Sequence, residues 1–177
     1  MNTKVVLQQF EVVVTDYLEA LESYDWERLT YKPSAGEWSL GQMYMHLIQS
    51  ALYMQLRNVE LCMIQNKEDP NVHYSGEKTE QGKRVYAQGS FPPIQIQVPA
   101  SPEYTPAEPE SKEQIRKGLE KVLERMRDLE PKLHEGTHDS KIQHPGLGFL
   151  HAKEWYALVE MHFRHHFLQK TRLEQMS

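Results

Sequence analysis

Ser111-Lys-Glu-Gln114-Ile115-Arg-Lys-Gly-Leu119-Glu-Lys-Val122-Leu-Glu-Arg-Met126-Arg-Asp-Leu129 is the stretch whose pattern decides the fold. Its apolar residues stand at 115, 119, 122, 126 and 129, an alternation of four and three. That spacing lines one side of an α-helix and is the seam of a helix packed in a bundle. Ser111 and Gln114 ahead of it form a capping-box pair. Moving outward, the chain repeats this kind of pattern three more times. A first helix is expected from about Thr3 to Ser23, with Val6, Phe10, Val13, Tyr17 and Leu21 at helical spacing. A polar bend over Tyr31–Glu37 follows, broken by Pro33 and Gly36. A second helix is expected from Trp38-Ser39 to about Gln65, with Ser39 as N-cap and Met43, Leu47, Ser50, Met54 and Leu61 or Cys62 on its inner side. The fourth helix runs from about Ala152 to Gln175, with His151 at its N-cap and Glu154 three residues on, a less usual capping box. No stretch alternates convincingly as a strand, so the class is all-α.

Between the second and third helices, Pro70 to Pro109 carries seven of the ten prolines together with Gly76, Gly82 and Gly89. A connection this long without structure of its own is uncommon in a compact domain and is usually functional or mobile. It is also long enough to cross a bundle and let the third helix run parallel to the second. There is no internal repeat and no low-complexity tract. The 177 residues fit one domain, 1–177. A formal charge of -5 and scattered basic residues give no footprint for nucleic acid. Cys62, the only cysteine, excludes an intrachain disulfide and a cysteine-based zinc site. Met1-Asn-Thr-Lys leads directly into an amphipathic pattern, not a signal peptide, and no apolar run is long enough to span a bilayer. The expectation is a soluble cytoplasmic protein.

The chemistry concentrates in Trp155-Tyr-Ala-Leu-Val-Glu-Met-His162-Phe-Arg-His165-His166. His162 and His166 are four apart and project from one helical face, the geometry by which one helix gives two nitrogens to a metal ion. They share the side of Trp155, Leu158 and Val159, the side this helix should bury. Buried imidazoles need hydrogen-bond partners or a metal. The third ligand favoured is His46, one position from the inner seam of the second helix. His73 in the long connection, His134 and His138 after the third helix, and His144 before the fourth are weaker. The 162/165 spacing also shares a face, and an i,i+4 pair also arises in ordinary cores. Spacing alone leaves both the metal site and a set of satisfied core histidines open.

Glu37-Trp38-Ser39-Leu40-Gly41-Gln42 through His46 resembles the second-helix signature of the DinB/YfiT-like family of metal-dependent enzymes. So does His144-Pro145-Gly146-Leu147-Gly148-Phe149-Leu150, followed by Glu154-Trp155 and Met161-His162-Phe163-Arg164-His165-His166-Phe167. The resemblance covers about Trp26 to Gln169. It departs at His151, where the family more often has Thr or Ser. It implies a four-helix bundle in up-down-down-up order with a long crossover between helices two and three. It also implies His46, His162 and His166 as ligands of one divalent metal ion, with His165 matching the family's frequent extra histidine outside the ligand set.

Three neutral imidazoles leave a divalent ion at least one open position. Imidazole suits zinc, nickel, copper and iron, and the ligand set does not choose among zinc, nickel, iron or manganese. Such a site activates water or holds a thiol as thiolate. Characterised relatives attach low-molecular-weight thiols such as bacillithiol or mycothiol to electrophiles. The resemblance therefore implies a thiol transferase first, with a small thiol as cofactor and an electrophile as partner. A hydrolase using metal-activated water, or a metal-binding stress protein without catalysis, are the alternatives. It also implies a homodimer. No obvious general base accompanies the ligands, since Glu160 points elsewhere and Glu154 caps. Tyr44, Tyr53 and Tyr156 are more in keeping with a core than with a pocket. Tyr86, Phe91 and Arg84 are the residues by which the proline-rich connection could reach the open face. Arg164 reads as a solvated or interface charge.

Overall fold

Helix dominates residues 1–93, 105–135 and 139–176, the part of the chain that the computed structural model describes. α1 (Thr3–Ser23) starts where the Asn2 side chain accepts the Lys4 and Val5 N–H groups. Phe10, Val13, Tyr17 and Leu21 are buried along it as the spacing predicts. A short α2 (Trp26–Thr30), capped by Asp25, stands before the polar bend. The second long helix begins as α3 (Leu40–Gln49) on a full capping box. Ser39 accepts the Gln42 N–H, and the Gln42 side chain accepts the Ser39 N–H. α6 (Lys112–Lys132) has Ser111 as its N-cap and buries Ile115, Leu119, Val122, Met126 and Leu129, the expected seam. Its capping box differs in one bond: Gln114 reaches back to the N–H of Glu110 rather than of Ser111. The last long helix is α7 (Ala152–Met176).

Three features depart from the sequence expectation. The second long helix is not regular. α3 passes through a π-helical turn at Ser50–Gln55 before resuming as α4 (Leu56–Ile64). The extra residue rotates everything after it, so Ala51, Gln55, Leu56 and Val59 are buried and the predicted inner residues Ser50 and Met54 are only partly so. Second, part of the Pro70–Pro109 connection has structure of its own. α5 (Glu80–Gln88) runs from a Thr79 N-cap to Gly89, which ends it in the left-handed conformation at φ 63°. Residues 94–104 of this connection lie outside the described residues. Third, β1 (Lys141–His144) and β2 (Gly148–His151) pair antiparallel, Lys141 opposite His151 and His144 opposite Gly148. Each strand is four residues long, too short for its alternation to register. The Pro145-Gly146-Leu147 turn was the available signal.

β1 and β2 form the fold's two-stranded sheet and dock on the connection. His73 and Lys141 exchange backbone hydrogen bonds, and Phe149 N–H donates to the Glu77 carbonyl. The core lies among the long helices. Phe10 meets Phe163 edge-on at 5.1 Å, and Tyr17 stacks on Phe167 at 4.8 Å. Buried tyrosines tie helices together through backbone carbonyls: Tyr17 donates to Phe163, Tyr44 to Tyr17 and Tyr156 to Met126. Ile48 packs where a side chain at Gly118 would stand, and Arg125 donates to the Leu52 carbonyl and pairs with Glu60. Among the described residues no helix is long and apolar enough to cross a membrane.

Candidate metal centre

His46 lies in the last turn of α3, and His162 and His166 sit one turn apart on α7. Packing of the two helices brings the three rings together. The Nε2 of His162 is 3.1 Å from the Nε2 of His46 and 3.1 Å from the Nε2 of His166. Ring centroids are 4.7 to 4.9 Å apart. Among the described residues these three form the group of His, Cys, Asp or Glu side chains whose donor atoms could hold one metal ion. Trp38, just ahead of the α3 cap, lies against His46 with ring centroids 5.0 Å apart.

Burial sets the charge of the cluster. It lowers the His46 pKa from the ordinary 6.5 to about 4. It lowers His166 to about 3, with His46 adding repulsion. His162 is pushed well below the ordinary value by burial first, then by the neighbouring imidazoles. At neutral pH all three rings are therefore neutral, the form that ligates metal. The outer nitrogens of His162 and His166 have amide partners. His166 Nδ1 is 2.7 Å from Gln169 Oε1, so it carries the proton and its Nε2 lone pair is free. His162 Nδ1 is 3.3 Å from Gln55 Nε2.

The residues fit a divalent cation. A tetrahedral zinc ion with bonds of about 2.0–2.1 Å sets its nitrogens roughly 3.3 Å apart, close to the two 3.1 Å spacings from His162, and all three ligand atoms lie within 4.8 Å of one another. Three Nε2 atoms this close repel one another when all are bare, and either a proton on His162 Nε2 or a cation among them removes that conflict.

The remaining histidines go elsewhere. His165 turns toward Phe91, with ring centroids 5.3 Å apart, and is not in the three-nitrogen group. His73 packs edge-on against Phe149. His134 shares hydrogen bonds with Thr3 and Glu130. His144 accepts the N–H groups of Gly146 and Leu147 inside the hairpin turn. His138 lies outside the described residues. At the α7 start the Glu154 carboxylate accepts the His151 N–H, while His151 Nδ1 is buried without a partner, so only half of the expected box forms.

The other expected positions resolve in the same way. Tyr44 and Tyr156 spend their hydroxyls on core carbonyls, and Tyr53 is exposed. Tyr86 donates to the Glu154 carbonyl, Arg84 is exposed, and Phe91 lies against His165 of α7. Arg164 is not a loose surface charge. It forms a two-pronged pair with buried Glu160 and donates to the Gly89 carbonyl, clamping the end of α5 to α7. Sequence reasoning missed Gln55 and Gln169. Gln169, three residues after His166, was findable from same-face spacing, whereas the π-turn hid Gln55.

A protein-family model described as the DinB superfamily matches residues 9–169. No curated protein and no solved structure matches the chain.

Proposed function

The chain belongs to the DinB superfamily, and from that premise we propose that it is a metal-dependent enzyme transferring a low-molecular-weight thiol to an electrophile. His46, His162 and His166 are the ligands of one divalent ion in this reading. The observation that carries it is the convergence of three neutral imidazole Nε2 atoms from two helices. When bound, such an ion holds a thiol as thiolate, the nucleophilic form of sulfur. The protein's part is positional. Burial keeps the three rings neutral, Gln169 orients His166, and Trp38 walls one side of His46.

The matching architecture is one 1–177 domain, an up-down-down-up bundle. Residue numbers rise together between the second long helix and α6, where Ile48 meets Gly118 and Leu52 and Glu60 meet Arg125. They run opposite between α1 and α6, where Glu22 pairs with Arg116 and Glu11 with Arg127. A cytoplasmic homodimer completes the reading. A single-chain mass by light scattering overturns the dimer.

Elemental analysis of the purified chain, combined with a thiol-conjugation assay on a generic electrophile, tests the function. Bound metal and turnover that needs both metal and thiol are expected, and the analysis also reads whether the ion is zinc, nickel, iron or manganese. Turnover without thiol points to a hydrolase using metal-activated water. Bound metal with no turnover points to a non-catalytic metal protein. His162→Ala should abolish metal binding yet leave far-UV circular dichroism largely unchanged, because the bundle seams are apolar. Full metal occupancy in that variant sinks the ligand assignment.

A further inference from the structure

On a regular helix at 100° per residue, Gln55 would stand nine residues from His46 and about 180° around the axis. The π-helical turn at Ser50–Gln55 takes up one extra residue and returns it to roughly 80°. Gln55, the last residue of that turn, is consequently 2 % exposed. Its amide meets the outer nitrogen of His162, with Nε2 3.3 Å from Nδ1, while its Oε1 is buried without a hydrogen-bond partner. A π-turn in a helix otherwise regular, ending on a buried amide beside the central imidazole, calls for a physical reason.

The amide has two orientations, related by a half-turn about its last side-chain bond. In one, the NH2 group donates to a bare Nδ1. The imidazole proton then sits on Nε2, in the middle of the three converging nitrogens, where it blocks coordination. In the other, Oε1 faces Nδ1, which carries the proton and donates to it, and Nε2 is bare. The single unpartnered amide position passes from the oxygen to the NH2 group, and the hydrogen bond that a proton on His162 Nε2 makes to the His46 or His166 nitrogen gives way to coordination of the ion. Only the second orientation is compatible with His162 as a ligand, and it repeats the Nδ1–H to Gln169 Oε1 arrangement at His166.

We propose that Gln55 is a positioning residue for His162. Its side-chain carbonyl accepts the Nδ1 proton and holds the ring with Nε2 toward the ion, and the π-turn exists to deliver it. This rests on the metal reading of the three-histidine cluster. A partner of this kind fixes ring tautomer and orientation, and its loss typically weakens metal affinity by roughly 10–100-fold.

The test compares zinc affinity of native chain, Gln55→Leu and Gln55→Glu by competition with a chromophoric chelator, with the thermal midpoint of each metal-free form measured alongside. Gln55→Leu removes the unpartnered amide oxygen but also the partner of His162 Nδ1, so its midpoint should change little while it loses roughly 10–100-fold in zinc affinity. Gln55→Glu keeps the acceptor and should bind zinc within a few-fold of native. Its cobalt(II) form should match the native visible absorption, whereas that of Gln55→Leu should be shifted. Equal zinc affinity in the native chain and Gln55→Leu overturns the proposal and leaves the metal site standing. So does an equal loss in both variants. Failure of the native chain to take up zinc, cobalt or any other divalent ion overturns the metal reading itself, and this inference with it.

Discussion

His144 accepts two backbone N–H groups at 3.1 Å through Nδ1, which it can do only while that nitrogen is bare. Burial lowers its pKa from the ordinary 6.5 to about 4. Between those values the unfolded chain binds a proton that the folded chain refuses, so stability rises with pH across the window. Its contribution is complete above about 6.5 and is lost on acidification toward about 4, by at most about 1.4 kcal/mol per pH unit. In metal-free protein His46, His162 and His166 act in the same direction, since burial lowers each of them too. The thermal midpoint of the metal-free chain should therefore be flat above neutrality and fall steadily below it; a midpoint unchanged down to about pH 5 would refute this. Cys62 behaves differently. It is buried, its Sγ faces the Leu150 carbonyl at 3.8 Å, and burial pushes its thiol up to about 12. It is thus a poor nucleophile, and it lies sixteen residues, about four turns, from His46. Native protein should resist alkylation by a thiol reagent, and Cys62→Ser should leave thiol-dependent turnover intact. Loss of turnover in that variant would argue against an external thiol.

At the scale of elements, the hairpin and α5 hold each other through contacts that leave no room for a side chain. Thr79 N–H donates to the Leu147 carbonyl at 3.0 Å and its hydroxyl to the Gly146 carbonyl at 2.8 Å. A Cβ at Gly82 would stand 2.1 Å from the Leu147 oxygen. Alanine is better than glycine within a helix by about 1 kcal/mol, so propensity favours Gly82→Ala. The clash is with backbone and cannot be relieved by a rotamer change, so collision should win, with a net loss of about 1–3 kcal/mol. Urea unfolding measures it, with Gly36→Ala, where nothing stands within 4 Å of the new methyl, as the control. A stabilised Gly82→Ala would mean the hairpin docks more loosely than these distances describe.

For the whole molecule, Phe163 is where packing and the candidate site meet. It is fully buried, packs edge-on against Phe10 and Tyr17, and its carbonyl receives the Tyr17 hydroxyl. It also follows His162 directly in the chain. Phe163→Ala should cost about 3–5 kcal/mol and lower the thermal midpoint of the metal-free chain. Zinc should recover part of the loss, because a ligand bound only by the folded state stabilises it. A midpoint close to native would show that the α1–α7 contact is not central to the core.

Much of this protein could be read along the chain because its signals are local. The 115, 119, 122, 126 and 129 seam, the Ser39 N-cap and the 162/166 pair each lie within a few turns of helix, where side-chain direction follows from residue number. What lay beyond that range was set by tertiary contact. His46 and His162 are 116 residues apart, and their meeting depends on how two helices pack. The hairpin has strands too short to carry a period and is held by Glu77 and His73 from the connection. Arg164 finds Gly89 at a separation of 75. The π-turn is the sharpest case: one extra residue rotates the rest of the helix, so Gln55 faces His162 although a regular helix would turn it away. Composition and periodicity determine which residues can be helical and which faces are apolar. Only the packed chain decides the phase of each helix and hence which polar atoms meet.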